Sequence, residues 1–367
     1  MKMLSLSESL KNFEQLMHEL SFRDKVKSAE YHYAAPFDFD GFFDDALVDS
    51  LFNKILLISK EVEFDSFKLG VSWPFGTEEA EKSHLKHSVQ TALIEKLVSA
   101  GKRTDFLIAD VEFLIDFQKK LVLLRIRPVY FSGYYTKHVR TIAQTEYFCN
   151  KCRGKGCWYC MNTGHFCSES IEQIIAKKSV SAFKSKLMIM HGAGREDMDV
   201  LMLGRGRPFI AEMLMPLKRS VDLKKIEQEI NSSSEGKISV SELKPVLGSD
   251  VSILKDSLHD KIYSAYVIAD KKIDCALLEL NKKIDVKQVT PSRVESRRSN
   301  MVRNKVVEFL NAEQTGDKEF VLTLRTSHGT YVKEFISSDG GKTTPSVSSI
   351  LGANCTCKLL DVMEICE

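Results

Sequence analysis

Two C-x-x-C pairs packed into "CNKCRGKGCWYC", Cys149 to Cys160, restrict this chain more than any other stretch. A C-x-x-C turn aims two thiolates at one point. Two such turns supply the four sulfurs of a tetrahedral zinc site. Gly154 and Gly156 let the backbone double back between the pairs. Cys149, Cys152, Cys157 and Cys160 are therefore expected to hold a structural Zn2+, because four protein ligands leave no open position for chemistry. Only four residues separate the pairs, so His165 or Cys167 is an alternative fourth ligand. A redox pair and an empty knuckle are the competing readings. Trp158, Tyr159, Arg153 and Lys155 either cover the metal or touch a nucleic acid.

The chain has nine cysteines and shows no export signal, which points to a reducing compartment. A cytoplasmic protein is expected, or a nuclear one in a eukaryote. Leu6, Leu10, Phe13, Met17 and Leu20 recur at helical spacing with charges between them, as in an amphipathic helix and not a targeting segment. The run "LVLLRI" is too short to span a membrane. A length of 367 residues suits two or three domains. Net charge is only +2, so any RNA surface must come from local clustering of Lys and Arg.

The first 130 residues read as an α/β module. "EYHYAAPFDFDGFFDD" reads as an irregular connection, "ALVDSLFNKILLISKEV" as a helix and "FDSFKLGVSWP" as a strand. A helix is expected over Glu78–Ala100 with Leu85, Leu93, Ile94 and Leu97 inward, stopped by Gly101. Two strands follow, joined at Gln118–Lys120. "YYTKHVRTIAQTEYF" reads as a basic aromatic linker into the cysteines, with a helix from about Ser168 to Ser185 after them. "NSSSEGK", Asn231 to Lys237, reads as a loop by composition. The expected division is 1–130, 131–168 and 169–367.

The stretch "HGAGREDMDVLMLGRGRPF", His191 to Phe209, poses a chemical puzzle. Glycines and arginines suit phosphate, yet Glu196, Asp197 and Asp199 repel it. A loop that presents a carboxylate to a sugar-phosphate needs both signs. On chemistry alone all three acids are candidates, and His191 reads as a satisfied loop histidine. "KIYSAYVIAD" is an alternating strand carrying Tyr263. "QVTPSRVESRRSNMVR" concentrates Arg293, Arg297, Arg298 and Arg303 as a phosphate-tracking patch. "RTSHGTYVKEFISSDGGKTTPSVSSILG" reads as a turn and helix with Lys333 on its first turns. Cys275, Cys355, Cys357 and Cys366 read as interior thiols.

Taken in order, G-R-x-D, K-x-Y-x-A, T-P-x-R-V-x-x-R-R and G-T-Y-V-K-E-F resemble the signature series of pseudouridine synthases, most closely the archaeal and eukaryotic "Pus-ten" tRNA family. The resemblance runs from about Arg127 to the C-terminus. It implies an α+β protein with a mixed-sheet catalytic domain, an N-terminal THUMP-like accessory domain that binds tRNA, and the zinc knuckle between them. It implies isomerisation of uridine 54, 55 or both in the TΨC arm, with no organic cofactor. By resemblance Asp197 is the catalytic carboxylate, Tyr263 stacks on the base and shares in proton transfer, and Lys333 pairs with Asp197. Leu351 would wall the uracil pocket. Arg195, Arg205 and Arg207 would join Arg293, Arg297 and Arg298 in holding phosphates, and Asp199 would orient a neighbouring arginine. The family often carries further paired cysteines in its accessory domain; this chain has none before Cys149. The rival reading is a non-catalytic tRNA-binding or RNA-chaperone protein using the same groove. A zinc deaminase is excluded around Cys149–Cys160, where neither H-x-E nor P-C-x-x-C occurs.

Overall fold

The structure, a computed structural model, describes residues 31–39, 43–73, 79–146, 148–149, 151–165, 169–295 and 299–366. The expected helix over Leu6–Leu20 lies outside them, as do Cys167, Arg297 and Arg298. Two compact units are present: Met1–Val129 with Ser179–Met188 and Met213–Asp222, and Tyr130–Lys178 with Ile189–Glu212 and Leu223–Glu367.

The first unit contains β1 (Tyr33–Pro36), α1 (Asp45–Ser59), β2 (Ser66–Ser72), α2 (Glu79–Ser99), β3 (Arg103–Thr104), β4 (Val111–Asp116) and β5 (Leu121–Ile126). Its sheet runs β1-β5-β4-β2-β3. Asp44 caps α1 by accepting from the Leu47 N–H at 2.8 Å. Leu47, Val48, Leu51, Ile55 and Ile58 recur at three- and four-residue steps, which puts them on one buried face. That face packs with Val89, Leu93 and Leu97 of α2 over Phe67, Leu69 and Val71 of β2 and over Val111, Phe113 and Ile115 of β4. β1 falls where an irregular connection was expected. Ala34, Ala35 and Pro36 have little strand propensity; pairing along β5, Tyr33 opposite Leu124 through Pro36 opposite Leu121, makes them a strand.

The second unit is built on β6 (Val129–Lys137), α3 (Ile171–Phe183), β7 (Leu187–Gly192), β8 (Val200–Leu214), α4 (Leu223–Ser233), β9 (Ile238–Val246), α5 (Asp250–Asp256) and β10 (Lys261–Ala269). β11 (Lys283–Val289), β12 (Val302–Gln314), β13 (Glu319–Thr326), α6 (Val332–Ser337), β14 (Thr343–Thr344), α7 (Val347–Leu351) and β15 (Cys355–Ile365) complete it. A ten-stranded sheet runs β14-β11-β12-β13-β10-β15-β8-β6-β9, with β7 beside β8. The chain is thus α+β with a large mixed sheet, as expected. Residues 131–137, read from sequence as the start of a basic linker, belong to a strand of this sheet: Phe131 and Tyr135 alternate inward and are wholly buried. The "NSSSEGK" stretch also differs. α4 continues to Ser233, because the Asn231 amide donates to Val240 O and accepts from Val240 N, tying the helix end to β9.

Register places the site. β15 lies parallel to β8, with Val362 opposite Met202, and antiparallel to β10, with Val362 opposite Tyr263. The start of β8 and the start of β10 are therefore one strand apart at the same level, and the loop entering β8 meets Tyr263. Of the region from Arg325 to Gly352, expected as one turn and helix, the chain makes two short helices, α6 and α7, separated by a 3-10 turn and β14.

Candidate active site

The loop from Ala193 to Asp199 joins β7 to β8. Gly194 turns it at φ +81°, a left-handed conformation costly for any residue with a side chain. Glu196 answers the puzzle of acids in a basic loop by pointing inward. Its carboxylate accepts from Arg207 Nε at 2.7 Å, and the two side chains are 1% and 2% exposed. It also accepts from the Tyr135 hydroxyl at 2.9 Å. Burial, then the charge of Glu196, holds the Tyr135 phenol well above its ordinary pKa, so it stays a donor. Arg207 spends Nη1 on Ala193 O, and the Gln144 amide donates to Gly194 O and to the Tyr135 oxygen. Lys137, fully buried, donates to Ile142 O, Asp197 O and Met198 O. The loop backbone is pinned from beneath by side chains of β6 and β8.

With Glu196 buried, Asp197 and Asp199 face outward. Asp197 stands 3.5 Å from Lys333 Nζ and 3.5 Å from Arg293 Nη1. The closer partner of Lys333 is Asp199, at 2.8 and 2.9 Å. Burial raises the Asp199 pKa, but the hydrogen bond and charge of Lys333 outweigh it and leave the carboxyl below its usual range. Asp199 was expected to orient an arginine; its carboxylate binds Lys333 instead, since α6 brings Lys333 across the loop. Arg293 also meets Glu334, the next residue of α6. Asp199, Lys333, Asp197 and Arg293 thus form a chain of alternating charges, the last three of which line one wall of a cavity.

These groups border a cavity of ≈ 670 Å³, within the range of small-ligand pockets. Tyr263 lies in its wall, and burial pushes the phenol up to about 12, a neutral ring at physiological pH. Val200, Val294, Val332 and Val362 supply apolar surface. Arg195 and Arg293 line the cavity too.

Three sequence expectations fare differently. Arg207 lies in the cavity wall, buried, with its Nε on Glu196 and its Nη1 on Ala193 O, so those two groups hold the loop. Arg205 is away from the cavity lining, paired with Glu242 at 2.8 and 3.1 Å and placed over the Tyr134 ring. Leu351 is buried in α7 and is not in the lining; the valines take the place expected for it. His191 is satisfied by Glu212 at 2.9 Å.

Sequence reasoning missed Lys261 and His328, both in the lining. Burial, then the nearby Arg207 charge, pushes the Lys261 ammonium down to about 8. His328 Nδ1 and the Tyr331 hydroxyl are buried without a protein partner. Lys261 opens the quoted K-x-Y motif, and its place two residues from Tyr263 was the available signal.

The four knuckle cysteines bring one sulfur each within 4.8 Å of one another. Neighbouring sulfurs stand 3.7 to 3.8 Å apart. Four metal–sulfur bonds of about 2.3 Å in a tetrahedron require about 3.8 Å, whereas a disulfide requires about 2.05 Å. Desolvation pushes both Cys152 and Cys160 up, but N–H groups of Cys157 and Gly164 aimed at Cys160 Sγ bring that thiol down to about 6, while Cys152 rises to about 11. The donor set fits zinc. His165 lies outside it, paired with Glu146 at 3.2 Å.

The family model described as "Pus10, C-terminal" matches residues 130–366. The chain belongs to the Pus10 family. The tRNA pseudouridine synthase Pus10 of Methanocaldococcus jannaschii is 38% identical over 337 residues, covering 89% of this chain and 74% of that protein. The Archaeoglobus fulgidus protein of the same name is 34% identical, covering 87% of this chain and 92% of its own. Among solved structures, a chain of a Cbf5–Nop10–Gar1 complex aligns with 53% of this chain, and with 44% of its own length, at a TM-score of 0.31 and 12% identity.

Proposed function

We propose that this protein is a tRNA pseudouridine synthase, an isomerase acting on uridine 54, 55 or both in the TΨC arm. The observation that carries the reading is the meeting of Asp197 with Lys333 inside a cavity walled by Tyr263. The reaction breaks the N1–C1′ bond of uridine, turns the uracil and forms C5–C1′. The proton on C5 leaves and N1 gains one, so no atom or electron is gained overall. Asp197 is the group that starts it, as nucleophile on C1′ or as base on the 2′ proton. Lys333 stands between Asp199 and Asp197, and its hydrogen bond and charge hold the Asp199 carboxyl below its usual range. Tyr263 offers its ring to the extruded base, offsetting lost stacking by about 1–3 kcal/mol. As a neutral phenol it donates a hydrogen bond in the proton transfers.

Arg195 and Arg293, in the cavity lining, hold RNA phosphates in this reading, and Arg297 and Arg298, outside the described residues, are assigned the same role. The first unit serves as a THUMP-like accessory domain that grips tRNA. Cys149, Cys152, Cys157 and Cys160 hold structural Zn2+. The cytoplasm, where thiols stay reduced, is the compartment; among the described residues no helix is long and apolar enough to cross a membrane. The test is incubation of the purified protein with an unmodified tRNA transcript, followed by carbodiimide mapping of pseudouridine. Stops at position 54 or 55 are expected; an unmodified transcript, still bound, returns the protein to the RNA-chaperone reading.

A further inference from the structure

We infer that the aromatic and basic face of the cysteine knuckle is a second RNA contact, on which an unpaired base of the tRNA stacks. Trp158 is 80% exposed and Tyr159 is 45% exposed. A ring so open to solvent spends little of its surface on covering the buried Cys149 and Cys160. Exposing an indole wastes the apolar burial it offers, which favours a surface that is covered in use. The two rings meet edge to face, 5.8 Å between centroids at 78°. Lys151 Nζ stands 4.6 Å from the Trp158 centroid and 4.2 Å from that of Tyr159. Rings and ammonium are therefore held as one platform.

The platform is rigid for a reason visible in the sequence. Trp158 and Tyr159 stand between the ligand pair Cys157 and Cys160, in a single 3-10 turn. Gly164 approaches Gly154 O so closely that a β-carbon would sit 2.5 Å from it, which locks the turn against the opposite half of the knuckle. A ring carried on a backbone turn that is already fixed leaves only its side-chain rotamer to be ordered on binding.

Charge decides the partner. Lys151, Arg153 and Lys155 are exposed, and no acidic residue occurs between Glu146 and Glu169. In a chain of net charge +2, such a stretch is a local cationic patch beside exposed aromatic faces. Aromatic faces take a base and ammonium or guanidinium groups take the flanking phosphates, the combination used for single-stranded nucleic acid. A protein partner would need acidic complementarity and would gain less from stacked rings.

The inference rests on tRNA as substrate, and the test separates the two. Binding of an unmodified tRNA transcript is measured for the wild type, Trp158→Ala and Lys151→Ala, with zinc content determined for each. Loss of one base stack predicts a Kd raised roughly 5–150-fold for Trp158→Ala. A Kd within twofold of wild type, with zinc retained, overturns the inference. If Trp158→Ala loses zinc, tryptophan emission decides: the chain has two tryptophans, and tRNA should quench wild-type emission but not that of Trp158→Phe. Equal quenching in both, or none, overturns it. Pseudouridine formation by the wild type, assayed in parallel, tests the synthase reading separately.

Discussion

Glu196→Gln isolates what the buried pair beneath the Ala193–Asp199 loop is worth. Gln keeps the size and one acceptor but removes the charge, leaving the Arg207 guanidinium, 2% exposed at its side chain, without a counter-ion. Breaking a buried pair from one side costs about 3–5 kcal/mol. The retained acceptor for the Tyr135 hydroxyl and Arg207 Nε places the loss at the lower end. For a unit of this size about 3 kcal/mol lowers Tm by about 6–12 °C. Thermal unfolding followed by near-ultraviolet circular dichroism measures it. Arg207→Met alone should be comparably harmful, since it strands Glu196. The double variant should be less destabilised than the sum by about 1–3 kcal/mol, because the second change removes the stranded charge. A Glu196→Gln shift below about 1 kcal/mol, or strictly additive singles, would show that the loop is held by its backbone turn at Gly194 and not by the pair.

Asp199→Asn should weaken the grip on Lys333 yet leave measurable pseudouridine formation, whereas Asp197→Asn should leave none; equal loss in single-turnover assays would make the two acids one functional unit. The Lys261 ammonium, held near 8, is charged below that pH and neutral above it, so tRNA affinity should fall as pH rises through about 8. Lys261→Arg, which stays charged, should flatten that fall, and filter binding from pH 7 to 9 reads it. The shifted pKa also means that the unfolded chain binds the proton more tightly than the folded one between about 8 and 10.4, so this residue's penalty on stability is relieved as pH rises through that window. Chelation of the knuckle metal, or Cys149→Ser, should release one zinc per chain by a colorimetric metal assay and lower the unfolding temperature of the second unit.

Much of this was legible before coordinates because local chemistry set it. The cysteine set followed from two C-x-x-C turns, and α1 from a helical apolar face. The ordered motifs pointed to Asp197, Tyr263 and Lys333, the structure brings all three to one cavity, and the sheet register explains why such distant segments meet. What the sequence hid was orientation. Arg207 and Lys137 look like RNA-facing cations, yet both are buried and serve the loop: alternation along β6 turns Lys137 inward, whereas on β8 the left-handed Gly204 and Gly206 break the alternation, so Arg205 faces solvent and Arg207 does not. The motif spacing singles out Asp197, but nothing in the one-dimensional pattern shows that Glu196 turns inward; the position of Arg207 on β8 draws it there. β1 was missed for the related reason that Tyr33–Pro36 becomes a strand only against β5. Leu351 was assigned by analogy to a wall that the valines occupy.

Asp197→Ala on an unmodified tRNA transcript tests the central claim most directly, with modification mapped by carbodiimide labelling and binding measured on the same preparation. The account predicts a transcript bound with near-wild-type affinity and no pseudouridine at position 54 or 55. Pseudouridine at wild-type yield from that variant would remove the carboxylate from the chemistry and contradict the account.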